Sequence, residues 1–201
     1  MRRESSTVVV TVGEIRDSLL TEVSRYPNVS VTRPPDDAGD AIETAASALA
    51  QASRKASPFV LVPADPLAAV ASAWRAMWDL SGGARGGAEF EQRASETMTA
   101  WRSGRFELPD YYLVVTPATG EAEGPDLYLG PLRAIRPRRV ATAVGTDRAE
   151  QAARILESLR SLRHGPWWPP LEEIIDGARR FFAGSLAGAE GTLAAPTAGR
   201  P

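Results

Sequence analysis

Hydrophobic residues in the first part of the chain repeat one arrangement: an apolar run of strand length, then apolar residues at the spacing of a helix. The valine-rich run at 7–12 begins the first unit, and the run "FVLVP" at 59–63 begins the last. The runs, each with the helical pattern that follows, cover 7–12 and 15–26, 28–32 and 39–54, and 59–63 and 66–80. Strand–helix units in succession predict a parallel, right-handed βαβαβ core.

The second half of the chain predicts a different sheet edge. After a fourth strand at 111–117, the apolar stretches at 126–135 and 138–144 are typical of two further strands. Because the link between these two is very short, we expect them to be antiparallel neighbours. Helical patterns lie at 88–102, 147–164 and 171–186. The predicted fold is α/β, a three-layer α/β/α sandwich whose mixed sheet is parallel in its N-terminal half and antiparallel at its C-terminal edge strands.

The chain of 201 residues predicts one domain over residues 1–186. The segment 81–87 holds four glycines. We expect a flexible connector there, because glycine loses the most backbone entropy when it is ordered. The segment does not match a phosphate-binding loop, since it follows a helix and contains no lysine. Residues 187–201 have no apolar period and predict a disordered tail.

Composition excludes several kinds of site. The sequence has no cysteine and a single histidine, His164, which excludes disulfides, thiolate ligands and multi-histidine metal sites. We expect no metal and no cofactor. A Ser-His-Asp triad would need His164 as its base, and no other motif indicates a catalytic residue. The longest apolar runs are far shorter than the roughly 20 residues of a membrane-spanning helix, so we expect no membrane contact and a cytoplasmic protein.

An arginine-rich segment, "RAIRPRR" at 133–139, lies in the more basic part of the chain. Residues 126–180 hold 10 basic and 7 acidic side chains, whereas residues 1–125 hold 12 and 17. Guanidinium groups suit phosphate or carboxylate partners, but arginine and proline on an edge strand also prevent aggregation. Because the chain is not basic overall, a nucleic-acid-binding surface is not the expected one. The candidate anion-binding residues are Arg133, Arg136, Arg138 and Arg139.

The segment "HGPWWPP" at 164–170, called here the aromatic corner, is the other unusual stretch. His164, Gly165 and the prolines are explained as the end of one helix and the start of the next. Trp167 and Trp168 have no such local explanation. Adjacent side chains of an extended segment point in opposite directions, so we expect one tryptophan to enter the core and the other to face outward. These two residues are the candidate interaction site.

A third candidate is the crevice beyond the carboxyl ends of the parallel strands, where open α/β sheets bind ligands. The residues expected there are Gly13 and Glu14, after the first strand, and Asp65, after the third. Both carboxylates also have a structural explanation. Glu14 is spaced to form a capping box with Thr11, and Asp65 is placed to cap the following helix.

The sequence favours a non-catalytic binding or accessory module. Its partner would be another protein, or a second copy of the chain, and the contacts would come from the aromatic corner and the arginine-rich segment. One alternative is an enzyme or small-ligand-binding protein that uses Glu14 and Asp65 in the crevice. A second alternative is contact with phosphate or nucleic acid through Arg133–Arg139.

Overall fold

The computed structural model of the chain describes residues 6–13, 15–34, 40–78, 83–117 and 126–193, and of 83–85 and 184–193 it describes the backbone alone. The strands are β1 (Thr7–Gly13), β2 (Val29–Val31), β3 (Phe59–Val62), β4 (Tyr111–Pro117) and β5 (Val140–Gly145). The helices are α1 (Asp17–Val23), α2 (Ala41–Ala52), α3 (Ala68–Met77), α4 (Gly83–Arg102), α5 (Arg133–Ile135), α6 (Arg148–Arg160) and α7 (Leu171–Leu193). A π-helical turn (Tyr128–Leu132) leads directly into α5.

The five described strands run parallel in one sheet, in the order β2-β3-β1-β4-β5. Central β1 places Val9 opposite Leu61 of β3 and opposite Tyr111 of β4. The predicted α/β class is confirmed. Because the strands are parallel, their carboxyl ends meet at one edge of the sheet and their amino ends at the other. These two edges carry the features that matter for function.

Helices cover both faces of this sheet. Successive strand residues point to opposite faces. Val8 and Val10 therefore pack with α2, α3, α4 and α7, whereas Val9 packs with α1 and α6. All residues of β1 from Val8 to Val12 are buried. This continuous burial is expected for a central parallel strand that is covered on both faces.

The antiparallel C-terminal edge that the sequence predicts is wrong. β5 pairs parallel with β4, and the predicted strand 126–135 is the π-helical turn and α5. Asp126 Oδ1 accepts the backbone amides of Tyr128 and Leu129 at 2.7 and 3.1 Å, which starts a helical turn. Pro131 has no amide to offer a strand ladder. The segment is therefore part of the crossover between β4 and β5, and parallel neighbours require such a crossover.

The glycines predicted as a connector at 81–87 lie partly in a helix, since α4 begins at Gly83. A Cβ on Gly86 would approach the carbonyl oxygen of Ala76 to 2.7 Å. Glycine at this position lets the start of α4 pass close to the end of α3. Close packing, rather than freedom of the backbone, is therefore the role of Gly86. Residues 79–82 lie outside the described residues.

The last helix also differs from its predicted bounds. The sequence pattern ended the domain at residue 186 and predicted disorder beyond it, whereas α7 continues to Leu193. Residues 194–201 lie outside the described residues. Among the helices of the described ranges, none combines the length and the apolar character needed to cross a membrane.

Candidate functional site

The aromatic corner crosses the amino ends of β4 and β5, between α6 and α7. Arginines of the arginine-rich segment hold its backbone carbonyls. The hydrogen bonds run from Arg136 Nε to the Trp167 carbonyl (2.7 Å), from Arg138 Nη1 to that of His164 (3.3 Å), and from Arg139 Nη2 and Nε to those of Gly165 and Pro166 (2.8 and 3.1 Å). Two stretches that are separate in the sequence therefore form one surface.

Trp168 is the tryptophan that enters the core. It is 5% exposed, and its Nε1 donates to the carbonyl oxygen of Pro109 at 2.8 Å. Its ring packs edge-on against Tyr112, with 5.7 Å between the ring centroids. The indole N–H is thus satisfied while the ring fills space beside β4. Trp168 is a structural residue of the corner.

Trp167 faces outward and is 50% exposed. Its ring lies over the guanidinium of Arg139, with 4.7 Å between the ring centroid and Cζ. Arg139 itself is only 8% exposed, and its Cζ lies 4.9 Å from the ring centroid of Tyr111. A third hydrogen bond joins Arg139 Nη1 to the carbonyl oxygen of Asp110 at 3.1 Å. Because Arg139 is fixed by carbonyls and rings, it forms a rigid cationic support for Trp167.

The surface around Trp167 is rich in positive charge. The stretches 127–146 and 158–171 contain six arginines and one histidine but no aspartate or glutamate, and the acidic residues beside them are Asp110 and Glu172–Glu173. Arg133, predicted as part of an anion site, lies in α5, is exposed, and makes no side-chain hydrogen bond or ion pair within the described ranges. The other three predicted anion ligands, Arg136, Arg138 and Arg139, donate to carbonyls of the corner.

The crevice residues have different surroundings. Gly13 ends β1 with a φ of 98°, a conformation that favours glycine, and a Cβ there would overlap the carbonyl oxygen of Val115. Glu14 lies outside the described residues. Thr11 does not cap a helix, since its hydroxyl donates to Val62 within the sheet and α1 begins only at Asp17.

Asp65 is buried rather than open to the crevice. Its Oδ1 accepts the amide of Leu67 at 3.0 Å, and its Oδ2 accepts the hydroxyl of Tyr128. Burial raises the pKa of the Asp65 carboxyl from 3.8 to about 6, against the opposing effect of these hydrogen bonds. The helix that Asp65 was expected to cap begins later, at Ala68. The carboxyl therefore ties the loop after β3 to the π-helical turn.

No sequence signal indicates this contact, because the apolar pattern predicts a strand at Tyr128. Tyr128 and Tyr112 lie together, with 5.2 Å between their ring centroids. The hydroxyl of Tyr112 is near the same carboxyl without a hydrogen bond of normal geometry. Burial, and secondarily the Asp65 carboxylate, raises the pKa of both tyrosines well above its usual range. The cluster has the character of a buried anchor for the π-helical turn.

Within the described ranges, no group of three or more His, Asp or Glu side chains is arranged to hold a metal ion. Comparisons of the chain with protein-family models, curated proteins and solved structures find no match. Function must therefore be argued from the geometry of this molecule.

Proposed function

We propose that this protein is a non-catalytic binding module, and that its aromatic corner docks an acidic segment of a partner protein. The observation that carries the proposal is Trp167, half exposed and held against Arg139. Exposed side chains usually lose rotamer freedom when a partner covers them, which weakens binding. A tryptophan that its neighbours already hold loses less. Tryptophan is also enriched among the residues that dominate binding free energies.

The charge around Trp167 favours an acidic partner. Arg160 and Arg163 are exposed, and neither side chain has a hydrogen bond or ion pair in the described part of the chain. Arg138 is also exposed and uses one of its N–H groups on His164, which leaves further donors free. Carboxylates of a partner could accept these donors in forked geometry. Complementary charge of this kind raises association rates and excludes wrong partners.

The two alternatives have less support. Nucleic acid would need a continuous stripe of free guanidinium groups for its phosphates, whereas Arg136 and Arg139, within the arginine-rich segment, spend donors on backbone carbonyls. A crevice enzyme that uses Asp65 would need an accessible carboxyl, whereas both oxygens of Asp65 are already occupied in a buried position.

A crosslinking experiment tests the proposal. The photoreactive variant Trp167→p-benzoylphenylalanine is produced in the native cells, irradiated and purified, and crosslinked peptides are identified by mass spectrometry. We expect a crosslink to a segment rich in Asp and Glu of another protein. Crosslinks to RNA or DNA would contradict the proposal in favour of nucleic acid, and crosslinks to this chain alone would replace the partner by a second copy.

Matched variants separate the corner from general surface effects. Tyr26 is 42% exposed and lies just before β2, the outermost strand on the side of the sheet away from β5. We expect affinity purification with Trp167→Ala, or with Arg163→Glu, to lose the crosslinked partner, and purification with Tyr26→Ala to retain it. If all variants recover the same proteins as the wild type in equal amounts, the aromatic corner is not the docking surface.

A further inference from the structure

A second candidate site lies at the opposite edge of the sheet, where the carboxyl ends of the strands meet. The chain leaves β1 toward β2 on one side and leaves β4 toward β5 on the other. Connections that depart in opposite directions leave an opening between them, and open α/β sheets bind ligands at such openings. The structure has a cavity of about 630 Å³ here, between the beginnings of α1 and α6 and the end of β4. This volume suits a small organic molecule.

Two arginines line this cavity. Arg16 precedes α1 and Arg148 begins α6. Both are exposed, and neither side chain makes a hydrogen bond or ion pair within the described ranges. Arg154 of the same helix, by contrast, is engaged with Glu157 at 2.9 Å. Both cations of the cavity are therefore available to a ligand.

The acidic groups of α6 beside the cavity are engaged by that helix, and Asp17 of α1 pairs with Arg33 at 3.5 Å. Asp147 Oδ1 accepts the amide of Glu150 at 2.9 Å as the N-cap of α6. Glu150 Oε2 in turn accepts the amide and the hydroxyl of Thr146 at 2.8 and 2.7 Å. Among the described residues that line the cavity, Asp147 is the acidic one, beside the two arginines. Charged lining side chains thus favour an anion.

We propose that this carboxyl-end crevice binds a small organic molecule through a phosphate group. Each guanidinium presents five N–H donors in a planar fork. Two such forks can donate four hydrogen bonds, which would use every acceptor site of one carboxylate. A phosphate group supplies three oxygens and up to two negative charges, and so matches two guanidinium groups better. Leu19 and Pro117 give the cavity an apolar wall for the organic part of the ligand.

Titration calorimetry with ribose 5-phosphate and AMP at low salt tests the site, with ribose and adenosine as phosphate-free counterparts. We expect saturable binding of the phosphorylated compounds alone. Arg16→Gln and Arg148→Gln should each weaken that binding at least tenfold, because each removes charged hydrogen bonds to the phosphate. Arg154→Gln removes a charge from the same helix outside the cavity and should leave the dissociation constant unchanged. Circular dichroism checks that each variant is folded.

Three results would overturn the proposal. Absence of saturable binding of any phosphorylated probe at millimolar concentration removes the site. Equal binding of adenosine and AMP removes the role of the phosphate. Displacement of AMP by citrate, with the same dependence on Arg16 and Arg148, would assign the site to carboxylates instead.

Discussion

Arginine has two different roles at the two edges of the sheet. At the amino edge, Arg139 is buried and its donors go to carbonyls of the aromatic corner. At the carboxyl edge, Arg16 and Arg148 line a cavity and have no partners within the described ranges. Buried Arg139 is thus structural, whereas the two cavity arginines are available, as are Arg160 and Arg163 at the amino edge. The number of arginines near a site therefore says less about binding than the number of donors that remain free.

The largest expected effect separates the two adjacent tryptophans of the amino edge. Trp168→Ala should lower the free energy of unfolding by about 3–5 kcal/mol, because it leaves a cavity beside Tyr112. Trp167→Ala, at an exposed position, should lower it by less than about 1 kcal/mol. Urea unfolding measures both. Should Trp168→Ala fail to fold, Trp168→Phe retains most of the ring and tests the same ranking. Similar losses at both positions would contradict the assignment of Trp168 to the core and Trp167 to the surface.

A buried carboxyl should make stability depend on pH. Because the pKa of Asp65 is raised from 3.8 to about 6 in the folded state, the folded protein binds its proton more tightly than the unfolded chain does. The stabilisation from this group is complete below pH 4 and is lost as the pH rises through 6. Its size is about 3 kcal/mol.

The variant Asp65→Asn isolates this contribution. The difference in unfolding free energy between the wild type and Asp65→Asn, measured in urea, should shift by about 2 kcal/mol in favour of the wild type between pH 7 and pH 4. Tyr128→Phe removes the hydroxyl bonded to Asp65 and should raise the pKa of Asp65 further. A difference that does not change with pH would show that Asp65 titrates normally in the folded protein.

The difference between a buried and a cavity arginine can be tested through their effects on stability. Arg139→Met should lower the free energy of unfolding by about 2–3 kcal/mol, since it leaves the carbonyls of Gly165 and Pro166 without their donors. Arg148→Met removes the same charge from the carboxyl edge and should change stability by no more than about 0.5 kcal/mol. Thermal and urea unfolding give both values. Equal losses would mean that the buried arginine and the cavity arginine do not differ in what they contribute to stability.

Much of the fold could be predicted from the sequence because the β1 and β3 runs and the helix at 148–160 have clear hydrophobic periods. The C-terminal edge could not, because "DLYLGPLRAI" is as apolar as a strand, and its helical start depends on the Asp126 side chain. The local pattern of hydrophobic residues does not indicate such a hydrogen bond. The π-helical turn also brings Tyr128 against Asp65, so this contact could not be predicted either.

The site was predictable in part. That adjacent tryptophans separate into a buried and an exposed one follows from backbone geometry, but which of them is buried depends on the tertiary contact with Pro109. Arg139 was grouped with three neighbours as an anion ligand. Its burial depends on residues 165 and 166, which lie far along the chain. The cavity arginines follow different strands, and only the strand order brings them to one opening.

The smallest expected effect concerns the acidic residue of the carboxyl edge. Asn caps helices about as well as Asp, so Asp147→Asn should keep the bond to the Glu150 amide and change the unfolding free energy by less than about 0.5 kcal/mol. Removing its negative charge from the cavity should tighten AMP binding about threefold to tenfold in calorimetry. Asp40→Asn, the same substitution at the N-cap of α2, is the control and should leave AMP affinity unchanged. Weaker binding by Asp147→Asn would mean that this carboxylate holds the ligand, so that the contrast between engaged acids and free arginines at the carboxyl edge fails.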